Sequence, residues 1–366
     1  MEFICKSQAR GLLHAILVVI CIALVCMPLA AQPVRVIFDT DIGNDVDVAL
    51  ALAILHALES RGEAKLLAVT VTKDNPYAAA LVDVIDTFYG RGEIPIGIVK
   101  NGKTPQDSPM IRVPVERKRP NGSNVYLRRM ALGAAPDAVE ILRKVLANES
   151  DQSVTIVQVG FSTNLARLLD SQPDSISPLT GAELAAKKVR LLVAMAGSFP
   201  PKQPEFNVVT DIPSAQKVFN EWPSPVIFSG FEIGEAMLFP SRSIEHDFSW
   251  VRDHPVADAY RNYMRMPYDR PTWDLTAALY AVRPDAGYFS LSPNGTVRVD
   301  DKGYTHFTPS AEGKHRYLIL SEEQKARTLE AMILLASQPR APISRAFTGP
   351  SRAPAGPWRR PASSAP

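Results

Sequence analysis

The sequence predicts a single α/β domain on an open, mostly parallel, Rossmann-like sheet with helices on both faces. Two observations lead there. From Val36 to Ser229, apolar runs of strand length alternate with segments of helical length and periodicity, the order that builds a parallel sheet through crossover helices. The polar clusters then fall where those strands end, which is where open α/β sheets bind ligands. With 366 residues, 46% hydrophobic and 21% charged, the chain is long enough for one large domain. No internal repeat or linker divides 35–337.

The first 31 residues read separately. Lys6 and Arg10 precede an apolar run over 11–27, and small residues follow at Ala30 and Ala31. This is the pattern of a secretory signal peptide cleaved near Ala31. The alternative is an uncleaved anchor, since the run approaches the roughly 18 residues that span a bilayer. A cleaved leader makes the mature chain secreted or periplasmic, with no stable membrane insertion. All three cysteines (Cys5, Cys21 and Cys26) lie in this leader, so the mature chain has neither disulfides nor a thiol nucleophile. Residues 338–366 carry seven prolines, five arginines and no acid, the composition of a disordered, solvated tail. Over 32–337, acids outnumber Lys and Arg 37 to 33, which argues against a nucleic-acid partner.

The first strand runs through Val36-Ile37-Phe38-Asp39-Thr40-Asp41 and breaks at Ile42-Gly43-Asn44. Apolar residues return at helical spacing (Val48, Leu52, Leu55), predicting a helix over 48–60 that stops at Arg61-Gly62. A buried strand over 66–72 stops at Lys73-Asp74-Asn75-Pro76, whose proline opens a helix over 77–89. A third strand spans 94–99. Residues 101–124 read as a polar loop, either a lid that closes on a ligand or a plain solvated surface. An amphipathic helix over 136–147 and a strand over 154–159 follow, the strand turning at 160–164 into a helix over 165–169. Further strands span 189–195 and 226–229, with a helix over 213–220 between them. Helices over 250–264 and 275–282 come next, the second entered through Arg270-Pro271-Thr272-Trp273-Asp274. Segments 290–299 and 303–308 alternate around Asp300-Asp301-Lys302-Gly303 as a β-hairpin, and a last helix covers 320–337.

Four carboxylates, Asp39, Asp41, Asp45 and Asp47, crowd one strand end. Unpaired, they repel one another, and a hard divalent cation with oxygen ligands is the simplest remedy. Helix capping, the plainer use, needs only one of them. Asp274 by itself is a helix N-cap; it joins the cluster only if the sheet brings it there. Glu205-Phe206-Asn207 flanks an aromatic ring with a carboxylate and an amide, which suits a polyol, or is an ordinary surface loop. No G-x-S-x-G elbow, Walker loop or G-x-G-x-x-G is present. The histidines after the leader lack metal-ligand spacing.

Taken in order, these residues resemble the inosine–uridine-preferring nucleoside hydrolase family from about Val34 to Pro284. The Asp-rich opening resembles its N-terminal signature. Asn75 falls where the family has an Asn after its second strand. Val157-Gln158-Val159-Gly160-Phe161-Ser162-Thr163-Asn164 looks like the strand that offers a backbone carbonyl to calcium. Glu205-Phe206-Asn207 matches the ribose-binding tripeptide, and Trp273-Asp274 sits where the family has a His-Asp pair. The resemblance implies the nucleoside hydrolase fold and a Ca2+-dependent N-glycosidase that splits ribonucleosides into ribose and base. It implies that Asp41, Asp274 and the Val159 carbonyl hold calcium and that Asp41 is also general base. Asp47 would bind metal or ribose hydroxyls. Asn75, Met195, Glu205, Phe206 and Asn207 would line the ribose pocket, with Asp39 and Trp273 also touching substrate.

Two positions depart from the family pattern. Its adjacent aspartates read Asp47-Val48 here, which removes a ligand unless Asp45 takes its place. Its histidine, a candidate acid for the leaving base, is Trp273. Tryptophan gives up no proton at neutral pH; it either stacks on a base, worth roughly 1–3 kcal/mol in nucleic-acid systems, or packs in the core. An alternative is therefore a catalytically weakened relative that binds a nucleoside or ribosyl ligand. A magnesium-dependent phosphohydrolase using Asp39-x-Asp41 is a third reading. Base preference is open, as is a homo-oligomeric state.

Overall fold

Val36 and Phe38 pack into one hydrophobic core and Ile37 into a second on the opposite side. A strand apolar on both faces belongs in the middle of a sheet covered by helices on both sides. This is β1 (Val34–Thr40) of a computed structural model that describes residues 32–200 and 203–340. The leader read at 1–31 and the tail from 341 onward lie outside the described residues.

The chain continues through α1 (Asp47–Ser60), β2 (Ala64–Lys73), α2 (Pro76–Phe88), β3 (Ile96–Lys103), α3 (Pro109–Glu116) and α4 (Ala138–Asn148). Next come β4 (Val154–Gln158), α5 (Thr163–Asp170), α6 (Gly181–Lys188), β5 (Val189–Met195), α7 (Phe206–Thr210), α8 (Ile212–Glu221) and β6 (Val226–Ser229). The third part holds α9 (Phe231–Glu235), β7 (Leu238–Phe239), α10 (Ser241–His246), α11 (Pro255–Tyr263), β8 (Arg270–Pro271) and α12 (Trp273–Val282). The chain ends on β9 (Ser290–Leu291), β10 (Gly295–Val299), β11 (Thr305–Pro309), β12 (His315–Ile319) and α13 (Glu322–Ala336).

Seven strands run parallel in the order β3-β2-β1-β4-β5-β6-β12, and β9, β10 and β11 add an antiparallel edge. The order reverses at β1, which pairs with both β2 and β4. The helices that leave β1 and β4 therefore go to opposite faces, and a crevice opens at the carboxyl ends between them. Leu50 of α1, Leu81 of α2, Tyr260 of α11, Leu275 of α12 and Met332 of α13 share the core on one face. Leu142 of α4, Leu165 of α5, Ala185 of α6 and Val218 of α8 share the other. Helix α1 is buried from Asp47 through Leu58, because other helices cover the side it turns away from the sheet.

Several features differ from expectation. Residues 101–124 are not a single loop: β3 runs on to Lys103, and α3 buries Met110, Ile111 and Val115 against α2 and α11. Its charged neighbours hide these apolar residues from a composition-based reading. The helix expected over 250–264 begins only at Pro255. Helix α6 and strand β12 had no sequence signal, since α6 buries only Gly181, Leu184 and Ala185. Gln338 and Arg340, read as tail, stay on the body through Arg61, Ser60 and the Phe88 carbonyl. The hairpin between β10 and β11 forms as expected, while Ser290–Leu291 separates from it to pair with β12. Among the described residues no helix is long and apolar enough to cross a membrane.

Candidate active site

Asp41 leaves β1 in a turn held by Asn44. The Asn44 amide donates to Asp41 Oδ2 (2.9 Å), and its carbonyl oxygen accepts from Lys73 Nζ (2.9 Å). Gly43 supplies the left-handed backbone at φ 113°, a conformation costly for other residues. Asp47 opens α1, and its Oδ2 accepts from the Asp274 N–H (2.9 Å) at the start of α12, 227 positions away. From β4, the Val159 N–H donates to the Asp39 carbonyl (2.7 Å). Gly160 permits this approach, because a Cβ there would lie 2.6 Å from the Asp41 nitrogen.

Glu205 caps α7. Its Oε1 accepts from the Asn207 N–H (2.8 Å), and its Oε2 from Gly197 N–H (3.1 Å) and Val208 N–H (3.2 Å). The Asn207 amide donates to the carbonyls of Val159 (3.2 Å) and Met195 (3.1 Å). One side chain thus ties the ends of β4 and β5 together.

These residues surround a cavity of about 300 Å³, at the small end of the range for ligand sites. Its buried floor is Asp41, Asp47, Val159, Met195, Glu205, Asn207 and Asp274. Its rim is Phe206, which is 53% exposed, with Phe231, Tyr263, Arg270 and Trp273 half-buried. Trp273 is fixed by its Nε1–H donating to the Phe231 carbonyl (2.9 Å).

Burial dominates the electrostatics of the floor. It pushes the carboxyls of Asp41 and Glu205 up to about 7, against the hydrogen bonds each accepts. Asp47 and Asp274 are raised well above the usual carboxylate range, first by burial and then by neighbouring carboxylates, Asp45 foremost for Asp47 and Asp47 foremost for Asp274. Burial likewise lowers the Lys73 ammonium, against the pull of Asp41.

The donor set suits a hard cation. Asp41, Asp47 and Asp274 offer buried carboxylate oxygens, Val159 offers a carbonyl, and no thiol or imidazole lines the cavity. The nearby cations are engaged elsewhere: Lys73 donates to Asn44 and to the Thr104 carbonyl (2.8 Å), and Arg270 pairs with Asp45. The ligand shell is not closed, since among the described residues no three acidic, imidazole or thiol groups are already gathered to chelate an ion. Asp47 is turned onto the Asp274 amide, and Val48 packs into the core.

Of the remaining candidates, Asp39 and Asn75 do not line the cavity. Asp39 sits on the same face of β1 as Ile37, under α5; its Oδ1 accepts from Thr70 Oγ1 (2.6 Å) and Asn164 Nδ2 (2.8 Å), and it does not line the cavity. That separation removes the paired carboxylates a phosphohydrolase reading needs. Asn75 caps α2, accepting from Tyr77 N–H (2.9 Å) and donating to the Pro105 carbonyl (3.0 Å), also away from the cavity. Asp45 lines the cavity, but its carboxylate is clasped by Arg270 and is not free to replace the ligand missing at Val48. Asn44, Lys73, Phe231, Tyr263 and Arg270 carry no motif. Arg270 stands four residues before Asp274 in the sequence, and only the fold gives that spacing meaning.

An open Rossmann-order sheet with an acidic, aromatic-rimmed cavity at its topological switch point defines the class: a doubly wound α/β protein with a ligand-sized crevice at its strand ends. The family model described as inosine-uridine preferring nucleoside hydrolase matches residues 36–334, and the chain belongs to that family. It is 28% identical over 231 residues to a pyrimidine-specific ribonucleoside hydrolase, RihA, of Enterobacter sp., covering 57% of this chain and 64% of that protein. It is 32% identical over 225 residues to the protein of the same name from Salmonella agona, again covering 57% and 64%. The chain thus matches just under two thirds of the length of these relatives. Among solved structures, a plant nucleoside hydrolase, PpNRh1, superposes with a TM-score of 0.63 at 21% identity, covering 84% of this chain and 100% of that one. A purine-preferring ribonucleoside hydrolase from Gardnerella vaginalis gives 0.62 at 17% identity, covering 83% and 98%. At these identities the structures establish the fold.

Proposed function

We propose that this protein hydrolyses the N-ribosyl bond of ribonucleosides to ribose and free base, with Asp41, Asp47, Asp274 and the Val159 carbonyl holding a calcium ion. The observation that carries this reading is the contact between Asp47 and Asp274, beside Asp41, at the floor of a cavity with an aromatic rim. The sugar goes to the floor, where Glu205 and Asn207 meet its hydroxyls. The base goes to the rim, between Phe206, Phe231 and Trp273. Calcium bound there would orient the attacking water and make it more acidic. Asp41 takes the water's proton as general base while the oxygen adds to C1′. The C1′–N bond breaks with its electron pair leaving on the base. The positive charge that develops on the sugar is stabilised by the carboxylates around it.

Incubating the purified protein with calcium and a panel of pyrimidine and purine ribonucleosides, and assaying reducing sugar, tests this. Release from at least one nucleoside, lost on chelation and in Asp41→Asn, is expected. No release from any of them rejects the reading. The names of the curated relatives make uridine and cytidine the first to try.

A second reading, a binder with weakened turnover, is favoured by one observation: Val48 removes a carboxylate and Arg270 withholds Asp45 from replacing it. Calorimetric titration with ribose-containing ligands separates the two, since tight binding with no product belongs to the binder. We also propose export, on the strength of Lys6, Arg10 and the apolar run over 11–27. Protein recovered outside the cytoplasm should begin near Gln32; intact Met1 on a cytosolic product contradicts it.

A further inference from the structure

The cavity rim needs something to receive the departing base. None of its lining residues is a histidine. The Trp273 N–H is already given to the Phe231 carbonyl (2.9 Å), and the Tyr263 hydroxyl, which accepts from Arg270 Nη2 (3.2 Å), gives its own proton to the Asp45 carboxylate. Arg270 itself is held on three sides. Its Nε donates to Asp45 Oδ1 (2.9 Å) and its Nη2 to Asp45 Oδ2. Its guanidinium carbon lies 5.1 Å from the Trp273 ring centre and 5.2 Å from that of Tyr263. Among the described residues no acceptor takes Nη1.

We propose that Arg270 is a catalytic residue of this site: its Nη1 donates a hydrogen bond to the departing base, and its charge stabilises that base as it leaves as an anion. The inference rests on the N-ribosyl hydrolase reading. A guanidinium stays protonated in any protein environment, so it supplies charge and a donor but no proton. The step balances without a protein acid. The C1′–N electron pair goes to the base, water supplies hydroxide to C1′ and its proton to Asp41, and the base anion is protonated by solvent at the open rim. Asp41 returns its proton to solvent. The side chain of Arg270 is only 21% exposed, so its charge acts with less screening than in open water. Asp45 and the two rings order it before substrate arrives, which is the condition for charge stabilisation without reorganisation. The substrates best served carry a carbonyl oxygen beside the glycosidic nitrogen, as pyrimidine ribonucleosides do, because the leaving charge spreads onto that oxygen.

The test compares uridine with 4-nitrophenyl β-ribofuranoside, whose nitrophenolate departs without help. Arg270→Met should lose about a hundred-fold in kcat on uridine, and at least about ten-fold less than that on the nitrophenyl riboside. Arg270→Lys should recover part of the uridine rate. The double variant Asp45→Asn/Arg270→Met, which leaves no unpaired carboxylate, should repeat the difference. Equal losses on both substrates, or no loss on uridine, overturn the proposal. A preference for uridine 5′-monophosphate over uridine that vanishes in Arg270→Met makes Arg270 a phosphate-binding residue and also overturns it. If the wild-type protein cleaves neither riboside, the hydrolase reading itself has failed.

Discussion

The Asp47–Asp274 contact is where the chemistry of single residues can be read most directly. Two buried carboxyls whose proton affinities both rise are held near each other because the Asp274 backbone N–H donates to the Asp47 carboxylate. Asp274→Asn keeps that N–H and the side-chain shape but removes one charge. It should raise the thermal midpoint of the calcium-free protein, since like-charge repulsion is relieved. It should also lower kcat by about 10²–10³-fold, the usual effect of losing one charge-stabilising group. Scanning calorimetry and a sugar-release assay check both. A drop in the midpoint would mean that the pair stabilises the fold. The Arg270 variants belong to the same scale, because they remove the group proposed to meet the leaving base and, with it, the partner of Asp45.

At the scale of elements, the site depends on how closely the ends of β1 and β4 approach. Gly160 sets that distance. A Cβ there would lie 2.4 Å from Thr72 Oγ1 and 2.6 Å from the Asp41 nitrogen, and backbone cannot yield as a flexible side chain can. Gly160→Ala should destabilise the protein by about 1–3 kcal/mol, the typical cost of overpacking. It should also weaken calcium binding, because Val159 and Asp41 move apart. Urea unfolding and calcium titration measure the two effects, and unchanged calcium affinity would show that the Val159 carbonyl is not a ligand. Helix α1 carries the other positional burden. It presents Asp47 at its first turn and buries everything after it as far as Leu58. Leu50→Ala, at a fully buried site, should cost about 2–5 kcal/mol, read as a lower urea midpoint with an unchanged m-value.

Across the whole molecule, the buried carboxyls of the cavity floor, with Asp39 beneath α5, couple stability to pH and, on the proposed function, to calcium. Unfolded carboxyls titrate near 4, whereas Asp39, Asp41 and Glu205 are each pushed up to about 7 by burial. Between those values the folded state holds more protons than the unfolded one. Stability therefore falls as pH rises through that window, and the deficit is complete only about a unit above 7. His254 and His315, lowered to about 3 and about 4 by burial, act in the opposite sense below about 6.5, where the unfolded imidazoles protonate. The clean interval is thus pH 6.5 to 8. There the midpoint of the calcium-free protein should fall with rising pH, less steeply in Asp41→Asn. Added calcium should raise the midpoint most at pH 8, as expected for a ligand that binds only the folded state. A midpoint rising with pH across this interval would contradict the carboxylate assignment.

The alternation of apolar runs was enough to read the class of fold, because strands buried on both faces and their crossover helices each leave a period in the sequence. Strands β5 and β6 were legible to the residue, since each is a largely apolar run that ends at a small or polar residue, Ala196-Gly197 and Ser229-Gly230. The acidic turn after β1 was legible for a related reason: its carboxylates are neighbours in sequence before they are neighbours in space. Short, half-exposed elements were not. Helix α3 hides among charged residues, and β12 exists only because β6 and β10 stand beside it. What tertiary structure alone decided was partnership. It brought Asp274 to Asp47, turned Asp39 and Asn75 into supports for β1 and α2, and clasped Asp45 with an arginine 225 residues away. A side chain's charge and size are written in its own residue, but which charge neutralises it depends on where the sheet delivers distant segments, and no local pattern records that.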